Sequence, residues 1–214
     1  MKEIKKVIDQ NRLFFIGYVG LLIFGATLLF SLGKVKAFYA LNPYHHPWLN
    51  DIFYFFTILG DGVFVVPMAF ALLLIKEKKL FWLNLSTYCL SGIIVLTIKN
   101  FVDEARPSVF EGLKNYPYFI DQITLHNFHG FPSGHTASAF AAACMFAFNS
   151  RSKTITALVL LLIAALVGYS RVYLGEHFIS DVMVGSVIGI FSSLICWAFI
   201  DKKMPAKSSG PQVV

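Results

Sequence analysis

The sequence predicts an all-α polytopic membrane protein, folded as a bundle of six transmembrane helices. Of its 214 residues, 57% are hydrophobic and only 14% are charged, whereas a soluble domain is about 45–50% apolar and about 25% charged. A spanning helix needs roughly 20 apolar residues, so the hydrophobic fraction suffices for about six spans with little left over. This composition excludes a soluble enzyme carried on a single membrane anchor.

The first predicted helix is the apolar run Leu13–Gly33, which follows the polar and charged segment Met1–Arg12. A cleaved secretion signal has a shorter apolar core and a small-residue cleavage site after it. This run has neither feature, so we expect it to be retained as the first membrane helix.

Five further apolar stretches follow, separated by polar segments. In the hydrocarbon core every backbone amide must be paired within its own segment, so these stretches are predicted to be helices. A closed β-barrel is disfavoured because the runs are continuous rather than alternating. Their approximate bounds are Ile52–Ile75, Leu80–Ile98, His135–Phe148, Thr154–Val172 and Phe178–Ile200.

Two of these helices have distinctive sequences. The second helix contains Gly60-Asp61-Gly62 and Pro67, which leaves open how much of it lies at the membrane interface. The fourth helix is short and rich in alanine and serine between Ala137 and Ala143. Small residues let neighbouring backbones approach closely, so we expect this helix at the centre of the bundle.

Lysine and arginine are distributed unevenly between the two sides of the predicted bundle, twelve on one side and six on the other. Basic loops remain in the cytoplasm, so we expect both termini to be cytoplasmic. The connection from about Phe101 to Phe131 and the Ser170–His177 turn then face outward. The net charge of +6 is mainly an orientation signal, and no nucleic-acid partner is predicted.

The chain has no spare region that could form a second domain. We expect one domain over residues 1–214, with a disordered tail at Ala206–Val214. The three cysteines, Cys89, Cys144 and Cys196, all lie in apolar stretches, and their number is odd. They form neither a disulfide framework nor a zinc-binding pattern.

The first of three polar clusters lies at the outward end of the third helix, where Lys99 is followed seven residues later by Arg106-Pro107. Seven residues are two helical turns, so both cations point the same way if the helix continues. Pro107 favours departure from the helix at about Arg106. Taken alone, the pair is more typical of a snorkelling lysine and a loop arginine at the lipid head groups.

The second cluster is Pro132-Ser133-Gly134-His135, at the start of the fourth helix. Proline suits a first helical turn, and the free N–H groups there, with a serine hydroxyl and a glycine that allows close approach, form an anion site. A simple helix cap would use the same first residues, but it does not need His135.

The third cluster joins the fifth and sixth helices and contains Ser170-Arg171, His177 and Asp181. His177 and Asp181 are four residues apart, hence on one helical face. The carboxylate can accept a hydrogen bond from one imidazole nitrogen and leave the other as a nucleophile. A structural His–Asp pair that joins two helix ends is the alternative.

The three clusters together supply three cations, an anion-binding helix terminus, two histidines and a carboxylate at one end of the bundle. Ionisable groups at membrane depth cost roughly 2.5–3.5 kcal/mol each on insertion scales. Their convergence therefore predicts a functional site for a phosphate group.

In the same order, these clusters resemble the three signature motifs of the type 2 phosphatidic acid phosphatase (PAP2) superfamily. The matches are K-x6-R-P from Lys99 to Pro107, P-S-G-H from Pro132 to His135, and S-R-x5-H-x3-D from Ser170 to Asp181. The resemblance covers the core from about Lys99 to Asp181 at every signature position. It implies a PAP2-like helical core and a membrane phosphatase.

The resemblance also implies the roles of the individual residues. His177 would attack phosphorus and form a phosphohistidine, and Asp181 would orient and polarise it. His135 would protonate the leaving oxygen and then activate water. Lys99, Arg106 and Arg171, with Ser133 and the Gly134 N–H, would surround the nonbridging oxygens.

No metal ion or other cofactor is predicted, since three fixed cations would do the electrostatic work of a magnesium ion. His126 and His129 are spaced three apart, but the sequence offers no third metal ligand nearby.

The implied substrate is a lipid phosphate or pyrophosphate, of the undecaprenyl pyrophosphate, phosphatidic acid, phosphatidylglycerophosphate or lipid A type. Two alternatives are a lipid phosphotransferase of the same superfamily and a non-enzymatic lipid transporter, which would need polar residues along a whole helix face. The small size and short loops favour a bacterial cytoplasmic membrane, and the oligomeric state is left open.

Overall fold

The computed structural model describes residues 2–114, 116–119, 128–150 and 153–204. These residues form eight α-helices, with two short 3-10 turns between the fifth and the sixth and no strand among them. The tail at 206–214, predicted to be disordered, lies outside the described residues. The helices are α1 (Lys2–Gln10), α2 (Arg12–Leu41), α3 (Pro47–Leu59), α4 (Gly62–Leu74), α5 (Lys78–Phe101), α6 (Gly134–Asn149), α7 (Lys153–Tyr173) and α8 (Ile179–Lys203).

Four of these helices, α2, α5, α7 and α8, are long and apolar enough to cross a membrane. The pair α3 and α4 makes a fifth candidate if it is one broken span. Helix α6 has only 16 residues, or about 24 Å at 1.5 Å per residue, against a hydrocarbon core of about 30 Å. The all-helical membrane class is thus confirmed, while the count of six spans stays a prediction.

The second predicted helix is divided by a sharp corner at Gly60-Asp61, where α3 and α4 are bent by 52°. Asp61 caps α4, since its Oδ1 accepts a hydrogen bond from the Val63 N–H at 2.9 Å. Gly60 packs tightly at the start of α6, where a Cβ would lie 2.6 Å from the His135 carbonyl oxygen. The corner is therefore a fixed turn against α6.

Helix α6 lies at the centre of the bundle, as its small residues predicted, and it packs against α5, α7 and α8. Two glycines of α8 bring the backbones of α6 and α8 together. A Cβ on Gly185 would lie 2.4 Å from the Ser133 carbonyl oxygen, and one on Gly189 would lie 2.2 Å from that of Ala137. Real Cβ atoms do not approach this closely, so only glycine permits this spacing.

Large apolar side chains are exposed on the outer faces of the bundle, among them Ile23 on α2, Leu74 on α4 and Phe199 on α8. Soluble monomers rarely expose contiguous apolar patches above a few hundred Å². This surface is the one that faces lipid.

We expect Gly189→Ala to destabilise the protein by about 1–3 kcal/mol, because the new methyl group meets backbone atoms that have no room to move. The measurement is the thermal unfolding midpoint in detergent. Gly20→Ala in α2 is the matched control, since a Cβ there meets nothing within 4 Å. Equal midpoints for the two variants would contradict the close contact between α6 and α8.

Candidate active site

A cavity of about 520 Å³ lies where the ends of α3, α5 and α7 meet the starts of α4 and α6. Six of the eight site residues predicted from the sequence line it. The remaining two, Ser133 and Asp181, are buried and do not line the cavity. The lining residues are Tyr54, Thr57, Ile58, Asp61, Val63, Lys99, Arg106, Gly134, His135, Arg171, Glu176 and His177.

Lys99 and Arg106 reach the cavity by a different route from the one the sequence predicted. Helix α5 ends at Phe101, so the two cations do not share a helical face. Instead the chain turns, and the segment 128–130 lies against both side chains. Lys99 Nζ donates to the His129 carbonyl oxygen, and Arg106 Nε donates to that of Phe128 at 3.1 Å.

The N-terminus of α6 opens onto the cavity at Gly134, an arrangement that binds anions in proteins. Ser133 caps this helix. Its Oγ accepts hydrogen bonds from the Thr136 N–H at 3.4 Å and from the Thr136 hydroxyl at 2.9 Å. The Ser133 hydroxyl therefore supports the helix terminus from behind the cavity wall.

His177 lies in the connection between α7 and α8 and is held by a backbone carbonyl. Its Nδ1–H donates to the Gly130 carbonyl oxygen at 2.6 Å, while Asp181 Oδ2 lies 3.5 Å from the same nitrogen. Asp181 also accepts from the Phe178 N–H at 2.8 Å and from the Ser180 hydroxyl at 2.9 Å. The closest acceptor for the ring is thus a carbonyl that the sequence did not predict.

The pKa of His177 lies well below its ordinary value of 6.5. Burial is the largest cause, because it disfavours the charged ring, and Arg171, Arg106 and Lys99 add to it. The ring is therefore neutral at physiological pH, and with Nδ1 protonated its Nε2 carries the lone pair.

Glu176 joins the two arginines of the cavity, a role that the sequence motifs did not reveal. Its Oε2 pairs with Arg106 Nη1 and lies 3.5 Å from Arg171 Nη2. All three side chains are almost completely buried. Arg171 also donates to the Thr57 hydroxyl of α3, so the two guanidinium groups are held side by side.

Asp61 is the second functional candidate that the sequence reasoning missed. Its Oδ2 lies 3.1 Å from Nε2 of His135. In the sequence, Asp61 stands between two glycines within an apolar stretch. This pattern indicated only that the boundary of the second helix was uncertain.

His129 and Asp103 form an exposed pair at 3.4 Å, and His126 lies outside the described residues. No group of three or more histidine, cysteine or acidic side chains forms a metal site within the described part of the chain.

The family model of the PAP2 superfamily matches residues 80–205, a range that contains all three polar clusters. The chain belongs to the PAP2 superfamily. The sequence-based assignment to this family and the prediction of a phosphatase are thereby confirmed.

Two relatives of this chain are named as phosphatases. Phosphatidylglycerophosphatase B of Bacillus subtilis is 28% identical over 73% of this chain and 77% of its own length. Lipid A 4'-phosphatase of Porphyromonas gingivalis is 31% identical over 72% of this chain and 66% of its own.

Two solved structures share the fold. The crystal structure of Aquifex aeolicus LpxE has a TM-score of 0.65 and 29% identity, over 77% of this chain and 94% of that one. The crystal structure of the PAP2 type phosphatidylglycerolphosphate phosphatase of Bacillus subtilis has a TM-score of 0.61 and 24% identity, over 87% of this chain and 96% of that one.

We expect Glu176→Ala to lower stability by about 3–5 kcal/mol, because removing one partner leaves two buried guanidinium groups uncompensated. The thermal unfolding midpoint in detergent measures this change. Glu111→Ala is the matched control, since Glu111 pairs with Lys114 on the exposed surface, where ion pairs contribute little. A midpoint no lower than that of the control would contradict the structural role of Glu176.

Proposed function

We propose that this protein is a metal-independent membrane phosphatase that removes the terminal phosphate of a lipid phosphate or pyrophosphate through a phosphohistidine on His177. One observation carries the proposal. Three cations, two histidines and a helix N-terminus line a single cavity beside the apolar bundle. No second candidate function has an observation of this kind in its favour.

The cavity supplies the positive charge that a transferring phosphoryl group needs. Lys99, Arg106 and Arg171 contribute three cations, and Glu176 offsets one of them. The N–H groups at the start of α6 add a partial positive charge. Preorganised donors of this kind stabilise the charge on the nonbridging oxygens in the transition state.

The two histidines divide the chemistry. The lone pair on Nε2 of His177 attacks phosphorus, while the bond between phosphorus and the leaving oxygen breaks and His135 gives that oxygen a proton. His135 then takes a proton from water, which attacks phosphorus and releases His177 and inorganic phosphate. Proton transfer by a positioned side chain typically contributes about 10²–10⁴-fold in rate.

An apolar groove adjoining the cavity supports a lipid substrate. It is about 220 Å³ in volume and lies between the α3–α4 pair and helices α6 and α7. Leu59 and Phe64 line this groove, while their neighbours Ile58 and Val63 line the cavity. A lipid tail in the groove would therefore have its phosphate beside His177, whereas a soluble sugar phosphate would leave the groove empty.

The relatives support the lipid class, since their names specify phosphatidylglycerophosphate and lipid A. We propose that the protein lies in a bacterial cytoplasmic membrane with both termini in the cytoplasm. The cavity would then face outward, because α8 starts beside it and ends at the opposite side of the bundle.

We expect His177→Ala and His135→Ala each to abolish phosphate release from lipid phosphates in detergent while leaving the thermal midpoint near that of the wild type. Substrate labelled in its terminal phosphate should transfer an acid-labile label only to chains that retain His177. His46→Ala is the control, since this exposed histidine lies outside the cavity. Sustained turnover by His177→Ala would contradict the mechanism.

EDTA should leave the activity intact, because fixed side chains supply the cationic charge. Vanadate should inhibit, because it adopts the trigonal bipyramidal geometry of the phosphoryl centre in the same cavity. Both effects are measured as initial rates of phosphate release. Loss of activity in EDTA that added magnesium restores would contradict the metal-independent mechanism.

A further inference from the structure

His135 has a carboxylate partner that comes from a distant part of the chain. Oδ2 of Asp61, in the α3–α4 corner, lies 3.1 Å from Nε2 of His135, and both side chains line the cavity. The other ring nitrogen, Nδ1, has no hydrogen bond to any residue that the structure describes. With Nε2–H donating to Asp61, Nδ1 is left for proton transfer.

The position of Asp61 is fixed by the packing of the corner on either side of it. Gly60 sits against the first turn of α6, where the Ser138 hydroxyl donates to its carbonyl oxygen. On the other side, a Cβ on Gly62 would lie 2.3 Å from the Tyr88 hydroxyl of α5. The carboxylate is thus positioned by a close backbone contact at Gly60 and by the contact of Gly62 with a tyrosine side chain.

The two oxygens of Asp61 have separate partners. Oδ1 accepts from the Val63 N–H and caps α4, whereas Oδ2 faces His135. The cap therefore accounts for one oxygen and leaves the second contact unexplained.

The geometry points to Asp61 as the positioning residue of His135. Its carboxylate holds the imidazole ring in place and stabilises the protonated ring that delivers a proton to the leaving oxygen. This inference rests on the proposed role of His135 as the proton carrier.

The charges around His135 support this assignment. Arg171 from α7 lines the same cavity as the neutral ring of His177, and a cation nearby disfavours protonation of an imidazole. Asp61 from the α3–α4 corner opposes that effect at hydrogen-bond distance. Glu176 also lines the cavity, but it pairs with the two arginines, so Asp61 is the carboxylate that contacts the His135 ring.

The partners of the two histidines also match their different tasks. The nearest acceptor of His177 is the neutral carbonyl of Gly130 at 2.6 Å, with the Asp181 carboxylate farther away at 3.5 Å, which suits a nucleophile that is neutral before it attacks. His135 contacts a carboxylate, which suits a group that alternates between charged and neutral forms. Environments that separate the proton affinities of two groups are typical of acid–base assignments.

Two substitutions separate the cap from the contact with His135. In Asp61→Ser the side-chain oxygen still caps α4, but it does not reach the imidazole. In Asp61→Asn the amide oxygen keeps the cap, but the amide NH2 then donates to Nε2 of His135, which removes the charge, reverses the hydrogen bond and puts the ring proton on Nδ1. Asp51→Ser is the control, since Asp51 is an exposed carboxylate on the neighbouring helix α3.

The assay is phosphate release from phosphatidic acid in detergent, with kcat, KM and the thermal midpoint measured for each variant. We expect Asp61→Ser to lower kcat by about 10-fold or more, within the 10²–10⁴-fold that proton transfer contributes. Asp61→Asn should lower kcat at least as much, because the reversed hydrogen bond protonates the ring nitrogen that must accept and transfer the proton. For both variants KM and the thermal midpoint should stay near the wild-type values.

A second substrate distinguishes a positioning role from a structural one. The leaving group of p-nitrophenyl phosphate needs no protonation, so the loss of kcat in Asp61→Ser should be smaller with this substrate than with phosphatidic acid.

Unchanged kcat in Asp61→Ser would overturn the inference, as would equal losses for both substrates together with a lowered midpoint. If Asp61→Ser does not fold, the same comparison is made with Asp61→Asn. Failure of the wild type to form a labelled phosphohistidine would instead overturn the proposed function on which the inference rests.

Discussion

The backbone contact between α6 and α8 determines the geometry of the whole site. Gly185 and Gly189 bring the two helices together, and the Ser133 N–H donates to the Asp181 carbonyl oxygen at 3.0 Å. The second motif begins α6 and the third runs into α8, so this contact sets the separation of their two histidines. Helix packing within the bilayer relies on small residues in the same way, since apolar side chains gain little by leaving lipid.

Charge compensation is the second constraint. Arg106 and Arg171 are buried next to each other, and Glu176 is the carboxylate that pairs with both. Uncompensated charges in a dry site are costly, so this glutamate keeps the cavity formed before any anion arrives. Under the proposed mechanism, an incoming phosphate would meet an arrangement that is already positioned, which is the preorganisation on which electrostatic catalysis depends.

The sequence predicted the helices well because apolar length and the positions of polar breaks are local properties. It also predicted the central place of α6 from its small residues. It did not predict the corner at Gly60-Asp61, because the bend depends on the close fit of Gly60 against His135. Nor did it predict that Lys99 and Arg106 are brought together by a turn rather than along one helix, since the chain after Phe101 is held by the distant segment 128–130.

By itself the sequence determined the membrane class, the PAP2 motifs and six of the residues that line the cavity, because each of these is encoded by residue type and spacing. The tertiary structure alone decided the partners of those residues. The Gly130 carbonyl that holds His177 has no residue-type signature, and Asp61 and Glu176 acquire their roles only when distant segments meet. Hydrogen bonds and ion pairs act over a few ångströms in space, so separation along the chain does not reveal them.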